Sequence, residues 1–363
     1  DAAERNETYK ILYQSGLNPT ELSIQTKDGA QQIVIWPCAL ISYKDKELPL
    51  DLLETQVGKS SQDALNNSAQ NLEYKFISAI KDLSQRKRPN IAFIEGHGEL
   101  NENEVYDITQ SLSRKYNVQR VAINEQITSL NKRTERSDSS IYISSNYDAI
   151  IIAKPTKSFS EKDKFIIDQY IMNGGRVLWL IDGVATNGEV GRVNDVNLTD
   201  QLFTYGIRLS PMLLLDVQCA FVPIQVDGQT GQSEFQPAPW YYSPLLMPAP
   251  NHAITRHLAP VKAEFASYIE LVGEQQNAHI AKTVLLASSA HTALEKAPMQ
   301  LSASIVNLSP ESPYFAYAYL PVAALFEGEF TSVYANRMKP AGVDNKGRTI
   351  QKRSKPTKMI VVA

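Results

Sequence analysis

The apolar positions change period along the chain, and the changes divide it. From Leu22 to Leu53 apolar and polar residues alternate around Lys27-Asp28-Gly29, which predicts a β-hairpin, preceded by a short helix over Tyr9 to Leu17. From Asp63 to Leu83 the period lengthens. Leu65, Ala69, Leu72, Phe76, Ile80 and Leu83 recur three and four residues apart and predict one apolar stripe on a long helix. The basic stretch Arg86-Lys87-Arg88-Pro89 then reads as a linker.

After Pro89 the apolar runs stop alternating. Ile91 to Ile94, Val118 to Ile123, Asp148 to Ala153 and Arg176 to Ile181 are short, nearly continuous and separated by helical patterns. One helix opens at Asn101 with Glu104 three residues on, a capping-box pair; another opens at Ser160 with Asp163 and stops at Asn173-Gly174-Gly175. Runs of this kind predict strands buried on both faces of a parallel sheet. The expected fold is α/β: a doubly wound, mostly parallel sheet, flavodoxin-like or class I glutamine-amidotransferase-like, with a small N-terminal β-rich piece. The expected division is residues 1–62 and 63–363. Within the second part, Asn124 to Ser145 is expected to be a loop and 220–260, rich in Pro, Gln and aromatics, a longer one. Later strands are expected at Ala263–Val272, Thr283–Ala287, Ala316–Phe326 and Met359–Ala363.

Composition narrows the function classes. Lys and Arg number 36 against 39 Asp and Glu, so no overall field draws the chain to nucleic acid or to an anionic bilayer, and no nucleic-acid partner is expected. The two cysteines, Cys38 and Cys219, are far apart; a disulfide and two free thiols both remain open. Five scattered histidines give no metal-ligand spacing, and neither Gly-x-Gly-x-x-Gly nor a phosphate-binding loop occurs, so neither metal nor cofactor is expected. The most apolar run, Phe315 to Phe326, is too short to span a bilayer and is broken by Pro321.

The candidate chemistry lies at strand ends. Glu95-Gly96-His97-Gly98-Glu99 follows the first strand of the α/β part, where glycines permit close approach and two carboxylates flank a histidine. The same residues also make a tight turn with an internally satisfied histidine. Asp182, after the strand ending at Leu180, is expected on the same sheet edge, as a second acidic site or as a turn former. Trp240, in Trp240-Tyr241-Tyr242, is either an aromatic anchor for a partner or sugar, or a pin for its own loop. Glu95, Gly96, His97, Gly98, Glu99, Asp182 and Trp240 are thus candidates for ligand or partner binding. No Gly-x-Ser-x-Gly elbow accompanies them, and no catalytic residue is assigned. His97→Ala is expected to leave the domain folded while weakening assembly.

Several stretches together resemble the GldG family of gliding-associated ABC transporter accessory proteins and the wider family of uncharacterised ABC auxiliary proteins: IAFIEGHGE at Ile91–Glu99, Tyr147–Ala153, FSEKDKFIIDQYIMNGGRVLWLID at Phe159–Asp182, LLLDVQC at Leu213–Cys219 and the final MIVVA. The resemblance implies a non-catalytic, inferred substrate-binding component on the periplasmic face of the inner membrane. It would be held by transmembrane helices outside these residues, beside an ABC permease and, through it, a cytoplasmic ATPase. It also implies that the first β-rich piece is the tail of a thioredoxin-like domain. A carbohydrate-binding or degenerate hydrolase-like domain using Glu95, His97 and Glu99 is the alternative.

Overall fold

A computed structural model describes residues 2–14, 16–17, 19–26, 29–53, 60–85, 87–135, 141–227, 233–273, 279–343 and 350–363. By compactness the chain divides into two units, Asp1–Arg88 and Pro89–Ala363. The long helix therefore belongs with the first unit, whereas the sequence boundary at 62/63 assigns it to the second.

The first unit comprises α1 (Ala2–Gln14), the antiparallel pair β1 (Thr20–Thr26) and β2 (Gly29–Ile35), the antiparallel pair β3 (Cys38–Tyr43) and β4 (Lys46–Asp51), and α2 (Ser61–Ser84). Thr26 pairs with Gly29 as the hairpin predicts, while Lys27 and Asp28 lie outside the described residues. Ser60 caps α2 by accepting from the Asp63 N–H at 3.2 Å. Lys75 Nζ donates to Asp51 O at 2.7 Å, tying α2 to the end of β4. The buried positions of α2 include Ala64, Ser68, Ala79 and Leu83, so the face turned inward is rotated from the predicted stripe. Leu65, Phe76 and Ile80 are exposed.

The second unit is built on β5 (Asn90–Glu95), α3 (Tyr106–Ser113), β6 (Asn117–Ala122), β7 (Asn131–Glu135), β8 (Ile141–Ser145), β9 (Ala149–Ala153), α4 (Glu161–Met172) and β10 (Arg176–Leu180). Next come β11 (Val184–Thr186), β12 (Val190–Val193), α5 (Thr199–Thr204), β13 (Ile207–Leu209), β14 (Met212–Asp216), β15 (Cys219–Asp227), β16 (Ser233–Pro248), β17 (Val261–Lys262) and β18 (Ile269–Leu271). The last elements are β19 (Ile280–Ala287), β20 (Thr292–Lys296), β21 (Met299–Gln300), β22 (Pro321–Gly328) and β23 (Thr357–Val362).

The main sheet runs β15-β16-β19-β22-β23-β10-β9-β5-β6, with β17 beside β16. The stretch β23-β10-β9-β5-β6 is parallel throughout, and the five remaining pairings, β16 with β17 included, are antiparallel. The sheet is therefore mixed rather than mostly parallel. A parallel neighbour needs a crossover, usually helical, and after α5 the chain forms no α-helix among the described residues, so its later strands turn back on one another.

The non-alternating runs follow from two covered faces. Ala92, Ile94, Ile150, Ile152, Val177, Trp179, Met359 and Val361 pack with Phe165, Ile166, Tyr170 and Ile171 of α4 in the principal core. The opposite parity, Ile91, Phe93, Ile151 and Ala153, packs with Val105 and Leu112 around α3.

Two expected loops are strands. Asn131–Glu135 and Ile141–Ser145 pair as a hairpin within the stretch expected to be irregular. The expected long loop 220–260 contains β15 and β16, paired from Cys219↔Pro244 to Asp227↔Ser233. The prolines hid this hairpin from a reading by period. Pro223 faces Pro237 and Phe221 faces Pro239, two residues apart and so at equivalent rungs. Those rungs must be the ones that exchange no N–H bonds, which is where a ladder tolerates proline, and β15 is an edge strand.

Candidate functional site

The carboxyl ends of β5 and β9 are adjacent, yet the chain leaves β5 toward β6 on one side and leaves β9 toward β10 on the other. Open α/β sheets bind ligands in the crevice such a divergence creates. Here the turn predicted from sequence fills it. Gly96 and Gly98 take φ of +114° and +73°, the left-handed region that glycine enters freely. This bends the chain back, so that the His97 carbonyl accepts from the N–H groups of Thr156 and Lys157 at 2.9 and 2.8 Å. Leu100 N–H donates to Ala153 O at 2.9 Å. The loops are so close that a Cβ on Gly98 would stand 2.2 Å from Thr156 Oγ1, which donates to the Gly98 carbonyl at 3.0 Å.

The His97 ring lies under this turn, 5 % exposed, stacked on Phe159 with ring centres 3.7 Å apart. Nδ1 is 3.1 Å from Glu99 Oε1 and Nε2 is 3.0 Å from Asp163 Oδ2. Carboxylates only accept, so a ring bonded to one at each nitrogen donates from both and is an imidazolium. Burial opposes that charge, but hydrogen bonds to Asp163 and Glu99 outweigh it and push the His97 pKa up to about 9. Burial likewise works against ionised Asp163, and the bond from His97 overcomes it, holding the carboxyl below its ordinary value.

The remaining carboxylate oxygens are also occupied. Glu99 Oε2 accepts from the His97 N–H at 2.7 Å, and Asp163 Oδ1 accepts from the Glu125 N–H at 2.8 Å. Asp163 sits in the first turn of α4, whose N-terminal dipole favours a negative charge, and its own N–H donates to Ser160 Oγ at 3.1 Å. His97 thus ties the β5 turn to the start of α4 and, through Asp163, to the segment after β6. The side chains of His97, Glu99 and Asp163 are 7 %, 3 % and 8 % exposed, which leaves substrate no access to them.

The other candidates separate from this clamp. Glu95 points to the opposite face of the sheet and pairs with Arg120 Nε; Arg120 Nη2 donates to Leu100 O at 2.8 Å. The expected pair of carboxylates flanking His97 is therefore corrected to Glu99 and Asp163. Parity along β5 explains the difference, because Glu95 shares a face with Phe93, opposite which Arg120 lies in register. Asp182 lies past β10 on the same edge and binds Lys154 Nζ at 3.0 Å. Burial pushes the Asp182 carboxyl up and Lys154 pulls it back. The two acidic sites share an edge without converging, each with its own cation. Trp240 is in β16, half-buried in a second core and edge-on to Tyr242 at 5.3 Å, so it packs its own hairpin. Five strand spacings separate β16 from β9, roughly 24 Å at ~4.8 Å each.

Sequence reasoning missed Phe159 and the clamp role of Asp163, visible only as a helix-cap partner, and it missed Asp168. Asp168 is fully buried and accepts from Tyr205 Oη at 2.9 Å, Ser332 Oγ at 2.7 Å, Val333 N–H at 3.0 Å and Gln169 Nε2 at 3.0 Å. It fixes the 330–334 segment to α4. Both cysteines are free thiols. Among the described residues no cluster of His, Cys, Asp and Glu is arranged to hold a metal, and no helix is long and apolar enough to cross a membrane.

Sheet and rim together define a mixed α/β domain whose strand-end crevice is closed by its own ionic contacts. The chain belongs to the family described as ABC-type uncharacterized transport system, ABC_transp_aux, whose model matches residues 88–363; it is an auxiliary component of an ABC-type transport system. No curated protein matches the chain. A solved structure described as the mmIFT52 N-terminal domain is similar at 13 % identity and a TM-score of 0.39, over 76 % of this chain and 85 % of that one.

Proposed function

We propose that the chain is a non-catalytic, extracytoplasmic accessory component that docks on an ABC permease, coupled through it to a cytoplasmic ATPase, in a system of the gliding or export type. The observation that carries the reading is the closed His97 clamp in a chain of the auxiliary family. An acid–base or sugar site needs carboxylates open to substrate, and here Glu99 and Asp163 are buried and spent on an imidazolium. The acids at the sheet edge are all engaged, Glu99 and Asp163 on the His97 ring and Asp182 on Lys154, which suits a rigid surface for a protein partner. The parallel strands, in the order β6-β5-β9-β10-β23, support the flavodoxin-like comparison. The GldG resemblance supports a periplasmic position, held by membrane helices outside these residues, and a first unit that ends a thioredoxin-like domain.

The test is a pull-down of the full-length, membrane-anchored protein in mild detergent, with mass spectrometry of what it recovers. An ABC permease and its ATPase are the expected partners. Recovery of neither, under conditions that keep known transporter complexes intact, refutes the accessory role.

A further inference from the structure

At the opposite end of the parallel strands from the His97 turn, a cleft of about 440 Å³ opens on the sheet face of Leu178, Leu325 and Ile360. Those three residues are cross-strand neighbours: Leu178 pairs with Ile360, and Ile360 with Leu325. Ile254, half exposed, lines the cleft from the segment after β16. That segment is fixed in place, since Ala249 N–H donates to Leu285 O at 2.9 Å and the buried Thr255 donates to Ala249 O at 2.7 Å.

Beside the apolar row runs a charged one. The register that pairs Val177 with Met359 sets Arg176 beside Lys358, and Lys358 pairs with Glu327. Glu327 Oε1 lies 2.5 Å from Lys358 Nζ. Two cations side by side on a sheet repel, and Glu327 is spent on Lys358, so Arg176 has no ion-pair partner among the described residues. His252 also lines the cleft. Its Nδ1 accepts from the Ile254 N–H at 3.2 Å, which leaves the proton on Nε2 as a donor. An apolar floor with a free guanidinium and a fixed N–H at its edge calls for an amphipathic anion.

We propose that this cleft binds a monoacyl carboxylate of the fatty-acid class, with the carboxylate at Arg176 and His252 and the chain along Leu178, Ile360, Leu325 and Ile254. At ~30 Å³ per small heavy group the volume holds about fifteen, enough for a chain of around twelve carbons and its carboxylate but not for a two-chain lipid.

The purified chain is titrated with a dansyl-tagged undecanoate, and laurate and dodecanol compete. Saturable one-to-one binding is expected, with laurate displacing the probe at least about tenfold better than dodecanol, because only the acid engages Arg176. Arg176→Gln is expected to weaken laurate about tenfold and to leave dodecanol unchanged. Ile254→Asp, at an exposed position that folding tolerates, is expected to abolish both. Equal competition by acid and alcohol, indifference to Arg176→Gln, or no saturable binding overturns the proposal. Vesicles of anionic phospholipid are the second arm. Recruitment to them with the same Arg176 dependence would assign the site to a membrane surface and overturn the free-acid reading.

Discussion

Removing His97 should be far more costly than a surface turn would suggest. His97→Leu keeps the contact with Phe159 but leaves Glu99 and Asp163 facing a buried, uncharged neighbour. Removing one partner of a buried pair costs about 3–5 kcal/mol, because the charge left behind has lost both water and its counterion. Against a total stability of about 5–15 kcal/mol this is a large fraction. At roughly 2–4 °C per kcal/mol for a domain near this size, Tm should fall by about 6–20 °C at pH 6.5. The loss should also depend on pH. The folded pKa of about 9 lies above the ordinary 6.5, so the clamp's contribution is full below pH 6.5 and fades as pH rises through 9. Wild type and variant should therefore converge between pH 7 and 10. On the acid side the Asp163 contribution, present above its ordinary 3.8, is lost as pH falls through the depressed folded value. Calorimetry of both proteins from pH 3 to 10 reads all of this. A variant equally stable at every pH, or a deficit that does not shrink above pH 9, would refute the ionic clamp. His97→Ala should leave the domain folded but less stable for the same reason, since the ring is in the core.

Three further outcomes follow from the same geometry. Gly98→Ala should lower stability by more than about 2 kcal/mol, combining the left-handed strain with a Cβ 2.2 Å from Thr156 Oγ1, and Thr156→Ala in the same chain should recover part of the loss in denaturant melts. Asp168→Ala, which orphans the Tyr205 hydroxyl and the Val333 N–H, should cost more than about 3 kcal/mol and raise amide exchange across 330–334. Asp182→Ala breaks a pair whose side chains are 29 % and 46 % exposed and should cost under about 1 kcal/mol by the same melts, less again at high salt.

What the sequence disclosed follows a physical line. The parallel strands were legible because residues covered on both faces must be apolar at both parities, as in Ile91–Ile94 and Ala149–Ala153. The helix at 160–172 was legible because its cap is local: Ser160 and Asp163 are three residues apart. The β15–β16 hairpin was not, because prolines at equivalent rungs imitate a loop unless the register is known. The local part of the clamp, His97 with Glu99, was visible in the turn. Asp163 lies 66 residues away, and only the fold brings it to the ring. That Glu95 turns to Arg120 and away from the ring was not legible, because adjacency along the chain says nothing about which face a strand-end side chain takes. The Arg176 cleft left no trace, since it depends on three strands aligning one charged row and one apolar row.

The most direct test is the protonation state of the His97 ring, followed by NMR of ring-nitrogen-labelled protein from pH 5 to 10. A doubly protonated ring is expected at neutral pH, titrating near 9, with both N–H signals slow to exchange because Glu99 and Asp163 hold them. A midpoint at or below 6.5 with fast exchange would mean an open, uncharged histidine, and the turn would again be a candidate for acid–base chemistry.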